Sequence, residues 1–588
     1  MTPSQPDFSP CRPRRVATDT IAWRVWAPRA RRVELVLETG SVVMTAEGDG
    51  FFAAEISGIA AGDCYGYSLD GGPPRPDPCT LFQPEGVHRL SALVFPEDFV
   101  WRHDCPQINR SDLILYELHI GTFTDAGTFD AAIDRLDDLV DLGINAIEVM
   151  PVAQFPGTRG WGYDGVHPFA TQHSYGGPEA FQRFIDAAHG RGIAVILDVV
   201  FNHLGPEGNY LNEFGPYFTN RYPTPWGPAF NFDGADSRPV RDWVLECVWQ
   251  WIHDFRLDGL RLDAVHAIHD DSSPHLLAEI NGLAHQAAAA RGGRALMIAE
   301  SLLNDVTMVR PVEEGGHGFD AEWNDDFHHA VAAWMTGERH AKYVDYGEEE
   351  KIATVFAETF YLDGRHSLYH GDAWGRPAGD LPGDRFIIAL QDHDHIGNRA
   401  RGERLAHQVD EAHLRLGACL TLLSPFLPML FMGEEYGETN PFLFYCEFSD
   451  PHLIEGVRRG RKRDYGLRGE VPDPQAEETF RASRLSWNWQ NVPARKRMRD
   501  LYRELILLRK EIPALRESGS VEAKLRLVSD SPILTVSRSG GLNAFFNLGN
   551  ESISTDLFQV RGRVVWRSEA GVSDGKLCGF ETLLAGSG

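Results

Sequence analysis

Between Asp112 and Phe431 apolar runs of strand length recur eight times, and amphipathic helical stretches separate most of them. The runs are Leu113–Leu118, Ala146–Val149, Val195–Val200, Gly259–Leu262, Ala295–Ala299, Phe319–Trp323, Phe386–Leu390 and Leu427–Phe431. A strand that reads as almost continuously apolar is one covered on both faces. Alternation of such strands with helices predicts a parallel sheet, and eight of them predict closure into a (β/α)8 TIM barrel rather than an open sheet.

The rhythm differs on either side. From about residue 20 to 100 short alternating runs, such as Ile21–Trp26, Val33–Leu37 and Phe51–Ile56, are broken by Gly and Pro. This pattern predicts an N-terminal β-sandwich over residues 1–105, followed by the barrel over residues 106–515. After Gly519 short strands return at Lys524–Leu527, Ile533–Ser537, Asn543–Phe546 and Gly562–Trp566, which predicts a C-terminal antiparallel β-domain over residues 516–588. Residues 203–236 are rich in Gly, Pro, Asn and aromatics and show no helical period. A loop of that length inside a compact domain is usually functional, so it is expected to wall a cleft as a small subdomain.

Catalytic groups of such a barrel sit at the C-terminal ends of its strands. Here most runs end on ionisable or polar residues. The first ends at Glu117 and His119, and the third leads through Asp198 to Asn202 and His203. The fourth ends at Arg261 and Asp263, the fifth at Glu300 and the sixth at Asn324-Asp325. The seventh ends at Asp392-His393-Asp394 and the eighth at Glu434-Glu435, a pair read mainly as a structural charge cluster. One strand-end carboxylate could be packing, but three converging on one mouth with Arg and His between them point to chemistry. Paired carboxylates suit glycoside hydrolysis because the leaving oxygen needs a proton while the sugar carbon needs an electron-rich partner. Crowded carboxylates divide these roles, since each negative charge opposes the ionisation of its neighbour.

At these residues the sequence resembles the α-amylase family of glycoside hydrolases. Asp198-Val-Val-Phe-Asn-His203, Gly259-Leu-Arg-Leu-Asp263, Ile298-Ala-Glu300 and Asp392-His393-Asp394 match its four motifs in order, with Asp392 where the family usually has Asn. The resemblance implies Asp263 as nucleophile, Glu300 as general acid/base and Asp394 as the carboxylate that grips the distorted sugar. It implies that Arg261 orients the nucleophile, that His203 and His393 bond sugar hydroxyls, and that Tyr163, in Trp161-Gly-Tyr-Asp164, stacks on the same sugar. His266 is grouped with these substrate-binding residues. The resemblance implies no metal and no cofactor.

Longer motifs narrow the resemblance. Tyr116-Glu-Leu-His-Ile-Gly-Thr-Phe123 and Trp161-Gly-Tyr-Asp164 resemble the branch of the family that holds branching enzymes, isoamylase-type debranchers and trehalose-releasing hydrolases. An N-terminal sandwich similar to a glycogen-binding module fits that branch. Phe201–Leu211, Glu322–His329, Gln391–Asn398 and Met432–Gly437 are most similar to its trehalose-releasing members. The implied substrates are maltooligosyltrehalose and other α-glucan oligosaccharides, cleaved at the α-1,4 bond beside the terminal trehalose. Phe155, Trp161, Trp226, Trp323, Asp325, His328 and Glu358 are the candidates for the wall that selects trehalose. A branching transferase would use the same carboxylates, and a glucan-binding scaffold would be expected to have lost one.

Charge and composition agree with a neutral substrate. Acidic residues outnumber basic ones 84 to 56, a net charge of −28, which disfavours nucleic acid as a partner. No apolar run is long enough to predict a membrane span, and the first residues carry no apolar signal region. The eight cysteines are scattered without a CxxC pair, so free thiols in a reducing cytoplasm are expected.

Overall fold

A computed structural model describes residues 8–464, 471–517, 521–558, 560, 563–569 and 575–586. Its centre is a closed barrel of eight parallel strands. They are β1 (Leu115–Leu118), β2 (Ala146–Val149), β3 (Ala194–Val199), β4 (Gly259–Leu262), β5 (Leu296–Ala299), β6 (Ala321–Trp323), β7 (Phe386–Ala389) and β8 (Leu427–Phe431). β8 pairs with β1 to close the ring. Each apolar run of the sequence contributes one strand, trimmed by a residue or two at several ends.

The pleat sorts these strands into two packing groups. Leu115, Ala146, Ala194, Ile196, Leu296, Ile298, Ile387, Ala389, Leu427 and Met429 pack with one another inside the ring. Their sequence neighbours Tyr116, Leu118, Ile147, Val195, Leu197, Leu260 and Ile388 belong to the large outer cluster beneath the helices. Toward the C-terminal ends the inward series changes character. Glu117, Glu148, Asp198 and Arg261 are all buried, so the barrel is apolar below and ionic above. This layer forms the floor of the cleft.

Residues 203–236 carry one helical turn, Leu211–Phe214, and a hairpin of Phe218–Thr224 with Gly227–Phe230. A single turn is too short to leave a helical period in the sequence. Two four-stranded antiparallel sheets, with strands from Arg14 to Ala92, pack against this segment. Trp26 meets Tyr217 edge-on at 5.3 Å, and Trp243 on the helix Ser237–Trp249 donates to the Pro78 carbonyl at 3.0 Å. At the other end a five-stranded antiparallel sheet is built from Glu522–Val528, Ser531–Ser537, Asn543–Asn547, Thr582–Gly586 and Arg563–Arg567. Gly562, the first residue of the last strand expected there, lies outside the described residues. Among the described residues no helix is long and apolar enough to cross a membrane.

Candidate active site

Arg261 organises the mouth of the barrel. Its guanidinium is fully buried, and one nitrogen donates to Asp198 Oδ2 at 2.7 Å and to Asp263 Oδ1 at 3.2 Å. The other terminal nitrogen lies 3.1 Å from Glu300 Oε2. Trp323 stacks beneath the guanidinium at 4.2 Å, a cation–π contact in a dry environment. One cation therefore serves three carboxylates, and the sum of their charges holds it protonated.

The two carboxylates flanking the cleft are held differently. Asp263 accepts on both oxygens, from Arg261 and, at 3.0 Å, from the Asn202 side-chain amide. Glu300 accepts on Oε2, where the Ala264 N–H donates at 2.7 Å, and no described residue bonds its Oε1. Ala264 has the left-handed φ of 39°. Burial pushes both carboxyls above their usual range, and Arg261 pulls both back. The charges of Asp263 and Asp394 raise Glu300 further, and the charge of Asp394 raises Asp263.

Asp394 is the exposed member of the group, its side chain about half accessible at 49%. The short helix His393–Gly397 carries it, and Asp392 caps that helix by accepting from the His395 N–H. Asn398 donates to Asp394 Oδ1 at 2.9 Å. His393 reaches Glu117 with Nδ1 at 2.5 Å and leaves Nε2 directed toward Asp394 Oδ1 at 3.6 Å. Burial alone would neutralise this pair, but the Glu117 carboxylate lifts the imidazole to about 10. Tyr163 lies nearly parallel to His393 at 5.0 Å and donates to Asp198 at 2.5 Å. His203 is tied to Asn202 Oδ1 at 3.0 Å and covered by Trp226 at 5.1 Å. Burial pulls its imidazole down to about 4, leaving it neutral. His266, partly buried, has Nδ1 without a partner among the described residues and feels the charge of Glu300.

Other sequence candidates stand back from the cleft. Phe155 is 1% exposed and packs edge-on against Tyr175. Trp161 donates to the Leu443 carbonyl, stacks on Phe442 and meets His393 edge-on, so it buttresses that histidine from behind. His328 has both ring nitrogens engaged, by the Leu390 carbonyl and the Tyr343 hydroxyl. Glu358 forms an exposed ion pair with Arg365. His119, at the end of β1, is enclosed by Thr122, Gly160, Tyr175 and Tyr445 and serves packing. Glu434 and Glu435 are buried against Tyr502, Gln391 and Tyr116, away from solvent.

Three contributors had no role assigned from the sequence, although Glu117 and Asn202 stand among its strand-end residues. Asn202 is a donor to Asp263, Glu117 is the counter-ion of His393, and Glu148 is buried with neither oxygen bonded among the described residues. Glu148 did leave a signal, as a lone acid inside the apolar run Ala146–Val149. Trp323 was expected to face substrate and instead underlies Arg261.

Comparison with known proteins agrees with this geometry. Residues 94–224 match the model of the alpha amylase catalytic domain. The malto-oligosyltrehalose trehalohydrolase of Saccharolobus solfataricus is 46% identical over 84% of this chain and 86% of its own length. The enzyme of the same name from Rhizobium sp. strain M-11 is 43% identical over 90% of this chain and 91% of its own. A crystal structure assigned as an alpha amylase from Salmonella typhimurium superposes with a TM-score of 0.90 at 36% identity, covering 98% of this chain and 99% of that one. With relatives this similar over nearly the whole length, the chain belongs to the malto-oligosyltrehalose trehalohydrolase family, within the α-amylase family.

Proposed function

We propose that the protein is a retaining glycosidase that cleaves the α-1,4 bond beside the terminal trehalose of maltooligosyltrehalose. The products are trehalose and a maltooligosaccharide shortened by two glucose units. The observation that carries the chemistry is the asymmetry around Arg261: Asp263 has donors on both oxygens, and Glu300 keeps one oxygen open to the cleft.

A carboxylate with both oxygens supplied by donors is stabilised as an anion, which suits the nucleophile. Asp263 attacks the anomeric carbon as the bond to the trehalose oxygen breaks, and Glu300 gives its proton to that oxygen. The glycosyl ester on Asp263 is then hydrolysed. Glu300, now ionised, takes a proton from water, the hydroxide attacks the same carbon, and Asp263 is released as carboxylate. Two inversions restore the α configuration. Sharing one guanidinium keeps the two carboxylates close, as the retaining separation of about 5–5.5 Å requires. Asp394 and His393 grip hydroxyls of the sugar that distorts, and the paired Glu117 keeps His393 cationic at neutral pH. Tyr163 supplies a flat face for that sugar, and His203 and His266 supply neutral nitrogens for its hydroxyls. Of the candidates for the trehalose-selecting wall, exposed Trp226 over the His203 ring and partly exposed Asp325 are assigned that task.

All eight cysteines are free thiols, which supports a reducing, cytoplasmic setting. Replacing Asp263 by Asn tests the assignment. Turnover of maltooligosyltrehalose is expected to fall by about 10⁴-fold or more while the melting temperature stays near that of the wild type. Retention of substantial turnover by Asp263→Asn would remove this residue from the nucleophile role.

A further inference from the structure

On the helix Asp325–Thr336, Asp325 and His329 stand four residues apart and so share one face. His395, from the helix that also carries Asp394, comes in opposite them. One ligand atom from each of the three lies within 4.8 Å of the others, and His395 Nε2 is 3.7 Å from Asp325 Oδ1. His329 Nε2 is buried with no partner among the described residues. The other nitrogen of His395 lies 3.0 Å from Asp392 Oδ1 without hydrogen-bond geometry, and the ring stacks on His328 at 3.4 Å. Asp325, Asp392 and His395 line a small cavity beside Trp323.

We propose that Asp325, His329 and His395 form a binding site for a divalent transition-metal ion of the Zn2+ class, and that occupancy inhibits the enzyme. Two imidazoles and a carboxylate are the donor set such an ion takes, with a water in the fourth position. Bond lengths of about 2.0–2.1 Å bring tetrahedral ligands about 3.3 Å apart, so the side chains close by an ångström or so. Asp392 then has a task as the carboxylate that orients a ligating histidine, at the position where the α-amylase motif usually carries Asn. The Lys342 ammonium acts on both histidines and on Asp325, and it opposes a cation there. The cluster of Cys105, His189 and Asp258 is unlike this one. There Arg291 sits on the sulfur and His189 is already bonded to Asp258, so a cation is disfavoured.

Calorimetric titration of the metal-free full-length protein with ZnCl2 tests the site. One saturable site is expected in the wild type. His329→Gln and His395→Gln each weaken it about tenfold or more, and Asp392→Asn weakens it about 10–100-fold. Lys342→Gln tightens it. With CoCl2 the wild type should show the visible bands of a four-coordinate nitrogen and oxygen site and no thiolate charge-transfer band. That spectrum decides the matter should a histidine variant fail to fold. Absence of a saturable site, an affinity indifferent to these substitutions, or a cobalt–thiolate band would overturn the proposal. Inhibition of trehalose release by ZnCl2, relieved in His329→Gln, rests on the proposed reaction. The binding and spectral results do not, so failure of one is distinguishable from failure of the other.

Discussion

Arg261 carries one positive charge against Asp198, Asp263 and Glu300, and the consequences are those of a shared counter-ion. Ionising every carboxylate around it would leave a buried net negative charge, so the cluster keeps a proton. Burial and neighbouring carboxylates push Asp198, Asp263 and Glu300 all upward, and the proposed mechanism places the proton on Glu300. It acts as an acid only while protonated, so kcat/KM should fall as pH rises through this raised value. On the acid side activity should fall as Asp263, required as an anion, takes up a proton. Glu300→Gln removes the acid, and hydrolysis of natural substrate should drop about 10²–10⁴-fold. An aryl glucoside, whose leaving group needs no proton, should lose far less in its first step, and the alkaline limb should vanish from its profile. Equal losses on both substrates would show that Glu300 has another role.

At the scale of elements, the site depends on how tightly the helix His393–Gly397 seats against the loop that carries Trp161. A Cβ built on Gly397 would lie 2.0 Å from Trp161 Cζ2 and 2.1 Å from Cη2. The indole cannot retreat, because its N–H is bonded to Leu443 and its face lies on Phe442. Gly397→Ala should therefore push the helix, and with it Asp394, rather than the ring. Stability is expected to fall by about 1–3 kcal/mol. Turnover should fall by about 10²-fold, the cost of a misplacement near 1 Å. A thermal melt and steady-state kinetics together check this, and unchanged kcat would mean that the helix has room to adjust. The strands themselves were legible in the sequence because each is buried on both faces and so reads as an apolar run. The carboxylates proposed for catalysis were legible because they stand where those runs stop. Which aromatic faces the cleft was not legible. Phe155, Trp161 and Trp323 look alike in sequence to a residue that stacks on sugar, and only the partners of each ring assign it to packing.

At the scale of the whole molecule, the N-terminal segment is stitched to the barrel rather than tethered by a linker. Backbone N–H groups of Cys11 and Arg12 donate to the buried Glu246, and the Arg12 guanidinium reaches Glu246 at 3.3 Å and Asp254 at 2.8 Å. Arg75 of the same region pairs with Glu213 in the 203–236 segment. Contacts between residues more than a hundred positions apart leave no local pattern, so the sequence predicts the sandwich with no sign of this clasp. Arg12→Ala leaves two acids short of their counter-charge and should cost about 1–3 kcal/mol in chemical denaturation. The loss should appear in the transition that includes the barrel, and a loss confined to an early, separate transition would indicate an independent N-terminal unit. The account as a whole stands on the bond that is cut and the way it is cut. Incubating the protein with maltotriosyltrehalose and following the earliest products by proton NMR measures both at once. Free trehalose with maltotriose in the α configuration is the predicted result. A β-anomeric first product, or transfer of glucan into branched chains without release of trehalose, would contradict it.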